Sequence, residues 1–391
     1  MDKTSIYIFA LAAHGLGISG SDRIFIEFAR RWAEKYPVDI YVWEEGFQMC
    51  RRQHLEISNV KFLISKMDLW SKFGFVVNYL ARIVDGVRIG LTLKVENSKN
   101  TVVYSASEFW MDSLPAFILK TRYPNIKWAA AWYQTAPNLW TGFAEGTREN
   151  RYRLNSFLYW ISQFLIKPII RRSANFILVN NNEEKKQFQK ATVVLGAVDL
   201  KQIRIWKSKL KNLPKIYDGV FQGRFHPQKG VIELIDIWKK VVDKKPGARL
   251  IMIGDGPLME SVKRKVKSEK LEKNIILTGY LFDGEEKYRI FAQSKIVAHP
   301  SFYDSGGMAA AEAMAFGLPC VGFDLKSYES YYPKGMIKVP LGNLEGFAGE
   351  ILNLLSDDRL YTNIAKDAQD MIGGNWSWEK RADDIFRLVV E

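Results

Sequence analysis

The sequence predicts an α/β protein built on doubly wound parallel sheets, in two Rossmann-like domains. Three observations carry this. Short apolar runs that read as strands alternate with amphipathic stretches at helical spacing along most of the chain. Several of those runs end in glycine-rich turns that open a helix, as strands of open parallel sheets do at their carboxyl ends. The 391 residues exceed one ordinary core and call for two domains.

The composition bounds the function. With 47% apolar and 25% charged residues, the chain reads as globular. Cys50 and Cys320 make neither a disulfide framework nor a metal spacing and fit a reducing, cytoplasmic compartment. His14, His54, His226 and His299 are scattered, so no metal cluster is expected. The apolar run Ile6–Ala13 lacks a cleavage-like continuation and reads as a strand, not a signal peptide. No uninterrupted apolar run reaches the ~18 residues of a membrane span. The net charge of +13 contains no long lysine block and no nucleic-acid signature, so no nucleic-acid partner is expected. A basic surface suits a phosphorylated ligand, an anionic membrane face or plain solvent.

In chain order, strand Ser5–Ala12 runs into His14-Gly15-Leu16-Gly17-Ile18-Ser19-Gly20. A helix follows from about Asp22 to Lys35, with Ile24, Phe25, Phe28 and Trp32 on its apolar face. Strand Val38–Trp43 ends at Glu44-Glu45. Gly15, Gly17 and Gly20 with a downstream acid satisfy the dinucleotide fingerprint, so a nicotinamide oxidoreductase stands as one alternative. Leu69–Val87 is amphipathic and aromatic, as a core helix or as one facing a membrane or acceptor. Strands Thr101–Tyr104 and Trp128–Trp132 continue the alternation, and Tyr133-Gln134 follow the second. Leu154–Ile170 is apolar but broken at Lys167-Pro168. The charged stretch Lys201–Lys215 reads as a linker. The pattern then resumes with strands Tyr217–Gln222, Ala248–Ile253 and Asn274–Leu277, the last followed by Gly279-Tyr280-Leu281.

The stretch Val297–Asp324 is the centre of the sequence. An apolar strand leads to Pro300-Ser301 and the turn Asp304-Ser305-Gly306-Gly307. An alanine-rich helix follows from about Gly307 to Phe316, stopped by Gly317 and Pro319. A second apolar strand, Cys320–Phe323, closes the unit. Asp304 sits in the turn and Glu312 eight positions later on the helix. Upstream, Gly223-Arg224 and Lys229-Gly230 bracket a loop directly after a strand.

These residues resemble the retaining glycosyltransferases of family 4, a resemblance covering nearly all of the second half and weaker in the first. The family's donor motif, two acids eight apart within P-S-x-x-E-G-F-G and E-A-M-A-x-G-x-P, is matched by Pro300–Pro319, with Asp304 where the family has Glu. The family's G-R-x4-K-G segment is matched by Gly223–Gly230. The resemblance implies the GT-B fold, two such domains facing across a cleft. Residues 1–200, joined by the C-terminal helix at 375–391, would form the acceptor-side domain, and 201–374 the donor domain. It implies a metal-independent, retaining transfer of a hexose from a UDP- or GDP-linked sugar, with no cofactor, to a glycan, lipid-linked or small-molecule acceptor. Arg224 and Lys229 would hold the diphosphate, with Gly223 letting the backbone approach. Asp304, Ser305, Gly306, Gly307 and Met308 would meet the transferred sugar, and Glu312 the ribose. Gly17 would lie against the donor, with Tyr280 and Leu281 also on the donor side. His14, Tyr133 and Gln134 are the acceptor-side candidates, the last two standing where many members carry a His. A non-catalytic sugar-nucleotide-binding subunit is the other alternative. The basic, apolar first half suggests peripheral association with an anionic membrane.

Overall fold

Parallel strands alternate with helices in both halves of the chain, and the computed structural model describes residues 4–15, 17–67, 70, 73–143 and 152–390. In the first half, β1 (Ser5–Phe9), β2 (Val38–Val42), β3 (Val60–Ile64), β4 (Thr101–Ser105), β5 (Lys127–Trp132), β6 (Phe176–Val179) and β7 (Ala191–Val193) form one sheet in the order β3-β2-β1-β4-β5-β6-β7. In the second, β8 (Tyr217–Gln222), β9 (Leu250–Ile253), β10 (Ile275–Gly279), β11 (Ser294–His299), β12 (Cys320–Phe323) and β13 (Met336–Val339) pair in the order β10-β9-β8-β11-β12-β13. Neighbouring strands are parallel throughout. Each order reverses once, between β1 and β4 and between β8 and β11. Loops leaving such paired strands diverge to opposite faces and leave a crevice at their carboxyl ends, where open sheets bind ligands.

The strands are apolar because helices cover both faces. β4 and β12 are buried along their whole length. Around the second sheet the core is aliphatic and aromatic, with Trp238, Phe221, Phe225 and Phe347 all fully buried. Helix Gly20–Trp32 begins with a reciprocal cap, Ser19 accepting from Asp22 N while Asp22 accepts from Ser19 N. Its apolar face turns inward, and Trp32 Nε1 donates to Ala382 O (3.2 Å) in the C-terminal helix Trp378–Val390.

The chain divides into two units, 1–136 with 157–196 and 378–391, and 137–156 with 197–377. Residues 137–143 and 152–156, expected in the first domain, group with the second. The charged stretch expected as a linker is instead mostly helix, Leu200–Lys209, capped by Asp199 on Gln202 N (2.9 Å). Ile203, Trp206 and Leu210, three and four residues apart, give it an apolar side that charge counting hides. The break expected at Lys167-Pro168 lies earlier, at Leu165, whose φ is +64°. Pro168 falls in the first turn of helix Ile166–Ser173, where its missing N–H costs no hydrogen bond.

Candidate functional site

β8 and β11 flank the reversal of the second sheet, and the loops that leave them carry the basic and acidic motifs. The loop after β8 passes Gly223 and Arg224, makes a short 3₁₀ turn at Pro227–Lys229, and reaches Gly230 at φ +64° before helix Val231–Lys244. A Cβ at Gly230 would lie 2.0 Å from Pro300 O, so only glycine lets this loop pass the one after β11. Arg224 is exposed and, among the described residues, its side chain makes no hydrogen bond or ion pair.

Lys229 pairs with Asp304 Oδ2, and both side chains are largely buried. The same oxygen lies 3.2 Å from His299 Nε2 and accepts from Ser301 Oγ at 3.2 Å. Asp304 Oδ1 accepts from the amides of Gly306 (3.3 Å) and Gly307 (3.0 Å). Burial alone would raise the Asp304 carboxyl, but the Lys229 ammonium and the His299 hydrogen bond outweigh it and hold it well below the ordinary carboxylate range. His299, 1% exposed, is pushed below its usual range by burial, against the pull of Asp304.

The turn rests on tyrosines. Tyr332 donates to Gly307 O (2.6 Å), and Ser327 donates to Asp304 O (2.7 Å). A Cβ at Gly306 would sit 2.4 Å from the Tyr331 ring, and Gly307 adopts φ +61°, so neither position accepts a larger residue without rearrangement. Met308 begins helix Met308–Met314, which carries Glu312.

Glu312 is fixed from two sides. Its Oε2 accepts from Gln222 Nε2 (2.8 Å), at the end of β8, and from Lys287 Nζ (2.8 Å). Lys287 is 2% exposed and also pairs with Asp283. Burial disfavours its charge, yet Glu312 and Asp283 outweigh that and raise it above the usual lysine range. Tyr280 and Leu281 are half-buried just past β10, with the Tyr280 ring edge-on to Phe282 (5.1 Å between centroids). Among the described residues no group of three His, Cys, Asp or Glu side chains could hold a metal ion.

Lys287, Gln222, His299, Ser301 and the tyrosines were not singled out from the sequence. Lys287 had a legible signal: it lies four residues after Asp283, the spacing of a helical ion pair. His299 had none, because a lone histidine in a strand says nothing of what it faces.

The first unit holds the remaining candidates. His14 is exposed, with Nδ1 2.9 Å from Ala12 O. Gly17 is half-buried in the loop after β1. Glu45, the downstream acid of the dinucleotide fingerprint, accepts from Arg82 (3.1 Å) and from Gly15 N (3.3 Å). Tyr133 is 3% exposed, and its hydroxyl shares a 2.6 Å hydrogen bond with Tyr104 inside the sheet. Just past the end of β5, whose residues are buried on both faces, the ring is enclosed by the first unit. The Gln134 carbonyl accepts from Tyr159 (3.1 Å) and Gln163 (2.6 Å).

A parallel sheet with a basic loop and an acid-bearing turn at its reversal defines a phosphorylated-ligand domain, and comparison with known proteins names its kind. Residues 216–357 match the family described as Glycosyl transferases group 1. The chain is similar to the poly(ribitol-phosphate) alpha-N-acetylglucosaminyltransferase of Staphylococcus aureus, at 27% identity over 42% of this chain and 34% of that protein. It is 24% identical to the UDP-Gal:alpha-D-GlcNAc-diphosphoundecaprenol alpha-1,3-galactosyltransferase of Escherichia coli, over 64% of this chain and 67% of that one. Against AmsD, the amylovoran biosynthesis glycosyltransferase of Erwinia amylovora, identity is 30% over 43% and 44%. The matched stretches thus span from about a third to two thirds of these relatives. The fold is that of Anabaena HepE, solved in complex with UDP and glucose, with a TM-score of 0.72 at 14% identity over 99% of each chain. It is also that of S. aureus TarM, with a TM-score of 0.71 at 14% identity over 99% of each. Residues 216–357 are thus similar to the group 1 glycosyl transferases, and the chain as a whole has the GT-B fold of HepE and TarM.

Proposed function

We propose that the protein transfers a hexose from a nucleotide-diphosphate sugar to an acceptor hydroxyl, with retention at the sugar and without a metal. The observation that carries the reading is the junction of two loops at the reversal of the second sheet. The basic loop after β8 and the acidic turn after β11 are tied together through Lys229 and Asp304 within the matched domain.

Departure of a nucleoside diphosphate builds negative charge on its phosphate oxygens, which fixed cations can stabilise. Arg224 offers a planar fork for two oxygens at once, and Lys229 a point charge. Lys229 rests on Asp304, so a bound diphosphate would share an ammonium already held in place. Glu312, oriented by Gln222 and Lys287, supplies carboxylate acceptors for ribose hydroxyls. Asp304 and the Gly306-Gly307 turn belong to the sugar end. The leaving phosphate takes the acceptor's proton in this scheme, so no separate base is required.

A UDP-linked donor is supported by the names of the E. coli relative and of the HepE complex. A lipid-linked acceptor is supported by the diphosphoundecaprenol in the name of the former. We place the reaction in the cytoplasm at a membrane surface.

A thermal-shift screen of UDP, GDP and their sugars, followed by transfer assays with the donor that binds, tests the reading. Arg224→Ala and Lys229→Ala should each lower turnover ~10²-fold or more. Near-wild-type transfer by both would remove them from the reaction, and binding without any transfer would mark a non-catalytic sugar-nucleotide-binding subunit instead.

A further inference from the structure

Two helices, Phe75–Thr92 and Arg153–Gln163, turn polar side chains inward and leave apolar stripes exposed. In helix Phe75–Thr92, Arg82 is 3% exposed and donates to Leu11 O (2.5 Å), Ala13 O (3.2 Å) and Glu45 (3.1 Å). One turn on, Asp85 is fully buried and accepts from Trp43 Nε1 (2.9 Å). The opposite stripe, Val76, Leu80 and Val84 at every fourth position, is 67%, 55% and 58% exposed.

Helix Arg153–Gln163 repeats the pattern. Tyr159 donates to Glu108 Oε1 and to Gln134 O, each at 3.1 Å. Gln163 donates to Gln134 O (2.6 Å) and accepts from Ala136 N (2.8 Å). Phe157, Ile161 and, just past the helix end, Phe164 are 45%, 46% and 48% exposed. Tyr79 of the first helix lies near the buried Ser162 of the second.

A helix on a water-facing surface does the reverse, and apolar patches of this kind mark an interaction surface. The rotation of each helix is not arbitrary, because buried hydrogen bonds hold its polar side in place. Among the described residues no helix is long and apolar enough to cross a membrane, so the faces can lie on a bilayer but not span it. The charge around them selects the bilayer. From residue 151 to 182 there is no Asp or Glu, while Arg153, Lys167, Arg171 and Arg172 are present. Arg171 and Arg172 are exposed in the last turn of the next helix, Ile166–Ser173, while Arg88, 58% exposed on the first, pairs with the buried Asp85 (2.9 Å). A second copy of the chain would set the same cations against one another, whereas acidic headgroups would pair with them.

We propose that these two helices are a docking surface for an anionic lipid bilayer, lying in the plane of its interface. Binding is read without sugar transfer, so it stands or falls apart from the reaction proposed above. The test is flotation of the full chain with phosphatidylcholine vesicles, with or without phosphatidylglycerol, at low and high salt. The wild type should float with the phosphatidylglycerol vesicles and be partly released by salt. Leu80→Glu combined with Ile161→Glu should weaken binding at least about tenfold at an unchanged melting temperature, since both side chains are exposed. Arg171→Gln with Arg172→Gln, which leaves the apolar faces intact, should weaken binding to the anionic vesicles alone. Failure of the wild type to float at low salt would overturn the proposal, as would full binding by the Glu variant or by the Gln variant. So would a dimer in sedimentation velocity that the Glu variant disperses, since the faces would then be covered by a second copy.

Discussion

Asp304 shows how one side chain can tie two motifs together. Its Oδ1 holds the glycine turn, and its Oδ2 holds Lys229, His299 and Ser301. The sequence resemblance assigns this position to the sugar, where the family's Glu reaches further. In this chain the shorter Asp pairs with Lys229. A consequence is that Asp304 and Lys229 act as a unit. In a double-mutant cycle on donor affinity, Asp304→Asn and Lys229→Ala should be non-additive by roughly 0.5–3 kcal/mol. Additive losses in calorimetric titrations of the same donor would show that the two groups work separately.

At the scale of elements, the site depends on a buried ion pair supplied by helix Glu285–Ala292. Lys287 reaches Glu312 from there, and removing it leaves a carboxylate with half its support. Lys287→Met should cost about 3–5 kcal/mol of stability, the range for breaking a buried pair, and should weaken nucleotide binding together with it. A variant that melts like the wild type and binds the nucleotide equally well would show that Gln222 alone positions Glu312.

A second element carries a pH signature. Glu108, at the carboxyl end of β4, accepts from Tyr159 and from Tyr133 N, and burial raises its carboxyl to about 7 against the lowering effect of those hydrogen bonds. Between the ordinary glutamate value and 7 the unfolded chain has released the proton that the folded chain keeps. Stability therefore falls as pH rises through that window, by roughly 3 kcal/mol from this group. Glu108→Gln removes the titration, so its melting temperature should gain on the wild type as pH goes from 5 to 7.5. A difference between the two that does not change with pH would mean Glu108 is ionised when folded.

For the whole molecule, the proposed chemistry relies on Arg224 and Lys229 for charge at the leaving group. Transfer should then survive EDTA. Loss of activity on chelation, restored by magnesium or manganese, would contradict this.

Much of the second half was legible in its residues. Strands Tyr217–Gln222 and Cys320–Phe323 were read with their observed bounds, because each is a short apolar run closed by a turn. Motifs such as Gly223–Gly230 and Asp304–Glu312 were visible because the close approach of backbone and ligand demands particular residue types at fixed spacing. β3, β7 and β13 were not found: each is an edge strand of three to five residues interrupted by one polar side chain. The apolar segments Leu69–Val87 and Leu154–Ile170 read equally as core or as surface, since periodicity gives the width of a stripe and not the direction it faces.

That direction, like the partners of Asp304 and Glu312, is a property of tertiary structure. By itself the sequence determined the alternation of strand and helix, the two motifs and the family they resemble, all of which rest on local spacing. The tertiary structure decided that Lys287 lies under Glu312, that Tyr133 is buried against Tyr104, and that polar residues of two helices turn inward. Each of those depends on contacts between residues far apart in the chain, where burial and charge compensation, not local propensity, set the outcome.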